Sequence, residues 1–207
     1  MRGVVLAILV ALAASLSGCV PSLHPLVTDK DAVFLPSLVG TWIGEDGSDT
    51  WKFEKGEGKA YVLTQTSNGV SAHFEARLTK IGGVIFLDTF SKEPPDTEGK
   101  PAPADQSDEG NLFLYLHYVP AHLISRVGMS GDALRISMMN PDWFKQAIAA
   151  RKIKIAHEDV EGGIMLTAST PELRKLALKL AAGKAAFNEG SLLYRTTKQA
   201  EPVSKPE

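Results

Sequence analysis

His73-Phe74-Glu75-Ala76-Arg77-Leu78-Thr79 alternates polar and apolar side chains without a break. A period of two puts Phe74, Ala76 and Leu78 on one face of an extended chain and the polar residues on the other, the mark of a half-buried antiparallel strand. The pattern spreads in both directions. Upstream, Trp51 and Phe53 alternate with Thr50, Lys52 and Glu54, and Tyr61 and Leu63 lead to polar Gln65. Downstream, residues 84–90 are apolar on both faces, which predicts a central strand. Turn-forming breaks divide these runs: Glu45-Asp46-Gly47, Lys55-Gly56-Glu57-Gly58, Ser67-Asn68-Gly69 and Gly82-Gly83. Asn68-Gly69 suits a tight hairpin, because both residues tolerate positive φ.

Residues 91–110 are acidic and proline-rich, with no core-forming pattern, and read as a mobile loop. Strands resume over 112–119, 122–129 and 133–139, the last two joined by a turn at Ser130-Gly131-Asp132. Asn140-Pro141-Asp142 opens a helix carrying Trp143, Phe144, Ala147 and Ile148 at helical spacing. Residues 153–156 and 164–168 read as two strands around a polar turn at 158–163. Ser169-Thr170-Pro171-Glu172 starts a second helix with an apolar stripe of Leu173, Leu176, Ala177 and Leu180, ended by Gly183. A closing strand follows over 191–196, and the charged tail 197–207 reads as disordered. The fold class is mainly β within α+β: an antiparallel meander forming a barrel or strongly curved sheet, with two helices from the C-terminal half packed on it. Residues 39–196 form its single domain.

Gly40-Thr41-Trp42 opens the first strand. A Gly-x-Trp there, followed by an antiparallel meander, resembles the lipocalins and the wider calycin barrels. The resemblance implies that Trp42 plugs one end of a barrel. It also implies that a basic side chain from the last strand lies across the indole. Arg195, in Leu192-Leu193-Tyr194-Arg195, holds the comparable position. Such a cation–π contact is worth about 0.5–2 kcal/mol. A barrel of this kind holds a small apolar ligand, for which Tyr61, Leu63, Phe74, Leu78 and Phe86 are the expected cavity lining. The two helices after Asn140 depart from a simple eight-stranded barrel with one late helix.

The chain opens with Met1-Arg2 and an apolar run over 3–14, short of the roughly 20 residues a spanning helix needs. A charged start, a short apolar middle and small residues before a cut mark a signal peptide over 1–18. Leu16-Ser17-Gly18-Cys19 resembles the lipobox of bacterial lipoproteins at each position. The resemblance implies cleavage before Cys19, a diacylglyceryl group on its thiol, and an acyl chain such as palmitate on the new amino terminus. Two or more fatty chains give a durable anchor where one gives a marginal one. Residues 19–38 then form the lipidated N-terminus and a tether punctuated by Pro21, Pro25 and Pro36; its apolar members Leu23, Leu26, Val33, Phe34, Leu35 and Leu38 are expected to pack part of it on the domain. Val20, in place of the Asp that favours inner-membrane retention, points to the outer membrane facing the periplasm in a Gram-negative host. The partner is the membrane itself, through Cys19.

The 207 residues carry a net charge of −2, with no basic stripe to neutralise phosphates, which argues against nucleic acid. Cys19 is the one cysteine; once lipidated it leaves no disulfide, thiolate metal site or cysteine nucleophile. Gly128-Met129-Ser130-Gly131-Asp132 ends in Asp where a nucleophile elbow needs Gly. Gly56-Glu57-Gly58-Lys59 lacks the spacing of a phosphate loop. His117 and His122 flank a turn without a nearby third ligand, and Glu161 stands where a His-Glu-x-x-His helix needs its second His. Glu45, Asp46 and Asp49 read as a solvated turn. Asp88, inside an apolar run, is expected near the strand end, meeting solvent or a lysine. No catalytic residue, metal or cofactor is expected. The chain therefore reads as a non-catalytic binding or interaction module of the cell envelope, taking a small apolar ligand or an envelope protein. A structural or assembly lipoprotein without ligand is the alternative, followed by an envelope hydrolase.

Overall fold

The structure, a computed structural model, describes residues 19–91, 119–160 and 163–196. The leader, the acidic loop beyond Ser91, all but the last residue of the strand expected over 112–119, His117 and the tail from 197 lie outside the described residues. The strands are Pro21–Ser22 (β1), Ala32–Val33 (β2), Gly40–Gly44 (β3), Asp49–Lys55 (β4), Tyr61–Ser67 (β5), Val70–Ile81 (β6), Val84–Phe90 (β7), His122–Ser130 (β8), Ala133–Met138 (β9), His157–Val160 (β10), Gly163–Leu166 (β11) and Ser191–Arg195 (β12). The helices are Pro141–Ala149 (α1) and Thr170–Ala181 (α2), and a 3₁₀ turn spans Pro36–Leu38.

Strands β3 to β9 pair antiparallel in order, and β12 pairs with both β9 and β3, closing an eight-stranded antiparallel barrel. The architecture is compatible with a lipocalin-like fold. Alternation explains the closure, since each strand sends one residue set inward. Trp42, Phe53, Tyr61, Leu63, Ala76, Leu78, Leu87, Leu134, Ile136 and Leu193 meet there in one buried cluster. At the β5–β6 turn Asn68 and Gly69 take φ of 50° and 80°, the geometry that lets a two-residue loop follow the strand twist.

A second core lies outside the barrel. The outward residues Ile81, Phe86 and Ile124 of β6–β8 are buried against α1, α2 and β11. Strand β7 is thus buried on both faces, with Leu87 inward and Phe86 outward. Helix α1 is capped by the Asn140 side chain, which accepts from the Trp143 amide at 3.1 Å. At the start of α2 the Glu172 carboxylate accepts from the Ser169 hydroxyl at 2.7 Å and the Ser169 amide at 2.9 Å. These bonds hold its pKa below the usual glutamate value, the hydroxyl contributing most.

Much of the tether, residues 20–38, packs on the domain. Ser22, Leu26 and Leu38 are fully buried, and β1 joins β8 and β11 while β2 joins β6. Strands of two residues carry no readable period. The strand expected over 153–156 lies instead at β10. Ile153 is buried in the outer core beside the helices, whereas β10 pairs on one side with β11 and is largely exposed, so it needs no apolar alternation.

Two long strands change partners along their length. Residues 70–76 of β6 pair with β5, but Leu78 and Thr79 pair with β2. Residues 125–130 of β8 pair with β9, but His122 and Leu123 pair with β1. The N-terminal segment is thereby held against the outer face of β6–β8, where a cleft forms.

Candidate functional site

Trp42 is fully buried in the inner core, its Nε1 donating to the Leu38 carbonyl at 2.9 Å. Arg195, whose strand β12 pairs with β3, lies over the indole with Cζ 4.2 Å from the ring centroid. Its guanidinium also donates to the Val39 carbonyl at 2.9 Å and to the Ser37 carbonyl. Gly40 fits this arrangement: its φ is +135°, and a Cβ there would stand 2.6 Å from Arg195 Nη1. The Gly-x-Trp spacing therefore leaves room for the arginine as well as setting the strand start.

Tyr61, Leu63, Phe74 and Leu78 all face the barrel interior, but Phe86 does not. Phe86 belongs to the outer core, 6.1 Å from the Phe187 ring, and Leu87 takes the inward position. A strand apolar on both faces gives alternation nothing to decide between. The interior is occupied by its own side chains. Phe34 stacks on Tyr61 at 4.9 Å, and Phe53 meets Tyr61 edge-on at 6.1 Å. The Tyr61 hydroxyl accepts from the Leu35 amide at 2.7 Å and lies 3.2 Å from the Leu35 carbonyl, to which it donates. Burial raises the Tyr61 pKa, and the Leu35 amide offsets part of that rise.

One polar feature of the outer face is a cleft of about 500 Å³ lined by Val27, Thr28, Asp29, Arg77, Asp88 and His122 among others. Asp88 is buried, 4% exposed, which corrects the expectation of a solvent-facing acid. Its Oδ2 accepts from the amides of Leu26 (2.7 Å) and Val27 (3.2 Å), and its Oδ1 lies 2.7 Å from His122 Nδ1. A carboxylate only accepts, so the His122 Nδ1 carries a proton directed at Asp88. The ring stacks on Phe90 at 4.6 Å. Arg77, cross-strand from Asp88, pairs with Asp29 and with Glu75 at 2.7 Å. These acids, Asp29 first, raise its pKa.

An oriented imidazole is the geometry of a general base, but no hydroxyl bonds to His122 among the described residues. The three-centre acceptance at Asp88 gives the pair another task, fixing residues 26–27 to β7 and β8. Among the described residues no three His, Cys, Asp or Glu side chains converge as a metal set. Cys19 is exposed, its Sγ 3.6 Å from Met138 Sδ, and the next residue, Val20, is 2% exposed. No described helix is long and apolar enough to cross a membrane. Comparison with protein-family models, curated protein sequences and solved structures gave no match to this chain.

Proposed function

We propose that this chain is a lipid-anchored bacterial lipoprotein, held at Cys19, and a non-catalytic binding module of the cell envelope that works through its outer surface. The lipobox-like Leu16-Ser17-Gly18-Cys19 supports the anchor. The observation that carries the binding mode is the filled interior: Trp42, Phe53, Tyr61, Leu63, Leu78 and Leu87 are each no more than 1% exposed and pack on one another. A ligand entering there has to displace them, whereas the clefts outside the barrel are already open. The Gly40-x-Trp42 and Arg195 arrangement supports relating the barrel to the calycins, with the usual ligand chamber filled.

Cys19 lies one residue before a buried position. Fatty chains on it would hold the domain close to the bilayer, confine it to one membrane face and raise its effective concentration there. Val20 favours the outer membrane, facing the periplasm, in a Gram-negative host. The test is intact-mass measurement and fractionation of the full chain expressed in such a host. The expected product begins at Cys19, carries the mass of a diacylglyceryl group, and sediments with membranes, and Cys19→Ala abolishes processing. An unmodified thiol, or a chain still starting at Met1, overturns the reading.

A further inference from the structure

We propose that the groove between the outer face of β8–β9 and residues 183–190 is a binding site for a phosphate ester. Arg126 and Arg135 project from the outward-facing set, since their neighbours Val127, Leu134 and Ile136 face the barrel interior. Arg126 stands opposite Ser137, and Arg135 opposite Gly128. Gly128 leaves the floor open: a Cβ there would meet nothing nearer than the Arg135 Cβ, at 4.0 Å. The resulting groove has a volume of about 700 Å³ and is also lined by Lys184, Phe187, Asn188 and Glu189.

Both guanidiniums are held in place by one backbone contact each. Arg126 Nη1 donates to the Gly183 carbonyl at 2.9 Å while the group lies 5.2 Å over the Phe187 ring. Arg135 Nη1 donates to the Glu189 carbonyl at 2.9 Å. A guanidinium has five donors, so most remain available, and neither arginine pairs with a carboxylate among the described residues. Lys184 adds a third positive charge and Glu189 one negative charge, an excess of cations on a chain of net charge −2. Two pre-positioned planar forks and an ammonium fit an anion offering several oxygens, and arginine forks pair bidentately with phosphate.

The source of the ester follows from position, and this clause rests on the lipid-anchor reading. Cys19 touches Met138, whose amide donates to the groove residue Asn188 at 2.9 Å. Arg135 lies three residues along the same strand, roughly 10 Å away at the rise of an extended chain. An anchored Cys19 thus brings the groove to phospholipid headgroups.

The test uses the chain from residue 19, which contains both cores, carrying Cys19→Ser so that no lipid contributes. Binding is measured to phosphatidylglycerol vesicles against phosphatidylcholine vesicles, and to glycerol 3-phosphate by calorimetry. The proposal predicts saturable, salt-sensitive binding in at least one arm, weakened about tenfold or more in Arg126→Gln/Arg135→Gln. Vesicle binding identifies the headgroup as the source, and glycerol phosphate binding alone identifies a soluble ester. Lys184→Gln, at an exposed side chain, tests the same site if the double variant melts early. No binding in either arm, or binding that all these substitutions leave unchanged, overturns the site. Mass analysis of the native chain reports separately on the anchor.

Discussion

At the residue scale, the packing around the start of β3 turns on Trp42, Arg195 and Gly40. Trp42 is fully buried, so Trp42→Ala removes an indole that the surroundings cannot replace. The expected loss is about 3–5 kcal/mol in denaturant melts, and a loss near zero would remove Trp42 from the role of plug. Gly40→Ala sets a Cβ against Arg195 on a backbone of positive φ. It is expected to destabilise by about 1–3 kcal/mol, and less when combined with Arg195→Ala, because the clash goes while the backbone strain stays. Strictly additive losses in that double-mutant cycle would contradict the contact. Tyr61 provides a pH test. Its folded pKa is raised, so the neutral phenol is favoured in the native state: its contribution is fully present below the unfolded value of 10.0 and is lost as pH rises through the folded value. Tyr61→Phe should cost about 1 kcal/mol near neutrality and flatten the stability loss above pH 10. An unchanged alkaline profile would contradict this origin.

At the scale of elements, the Asp88–His122 pair is what fastens residues 26–27 to β7 and β8. Asp88→Ala leaves two amides and an imidazole without their acceptor, an expected loss of about 3–5 kcal/mol. Hydrogen exchange at the Leu26 and Val27 amides should rise with it, and retained protection there would place the fastening elsewhere. The elements also mark what a sequence can disclose. Strands with one polar face, β4 to β6, follow from alternation alone, and α2 from Ser169, Pro171 and Glu172. Strand β7 was visible as a strand buried on both faces, but not which face Phe86 takes. Asp88 sat in view within an apolar run, yet its partners come from residues 26, 27 and 122, and no local pattern links them.

At the scale of the molecule, the barrel and its two helices were legible because β3 to β7, and β8 with β9, follow one another through short turns and a last strand returns to the first. The fork at which β6 and β8 leave their barrel partners was not, since it depends on two-residue strands in a proline-punctuated segment whose apolar residues say that it packs but not where. That fork builds the Asp88 cleft outside the barrel, while the chamber expected inside is filled by Trp42, Phe53 and Tyr61 with Phe34 stacked on the last. The central claim, that binding belongs to the outside, is tested most directly by titrating the protein with a fluorescent fatty acid. The account predicts no saturable uptake, and the same null result in Leu78→Phe, which adds bulk to an interior already full. Stoichiometric uptake by the native protein, abolished by Leu78→Phe, would show an interior that opens to ligand and would contradict the account.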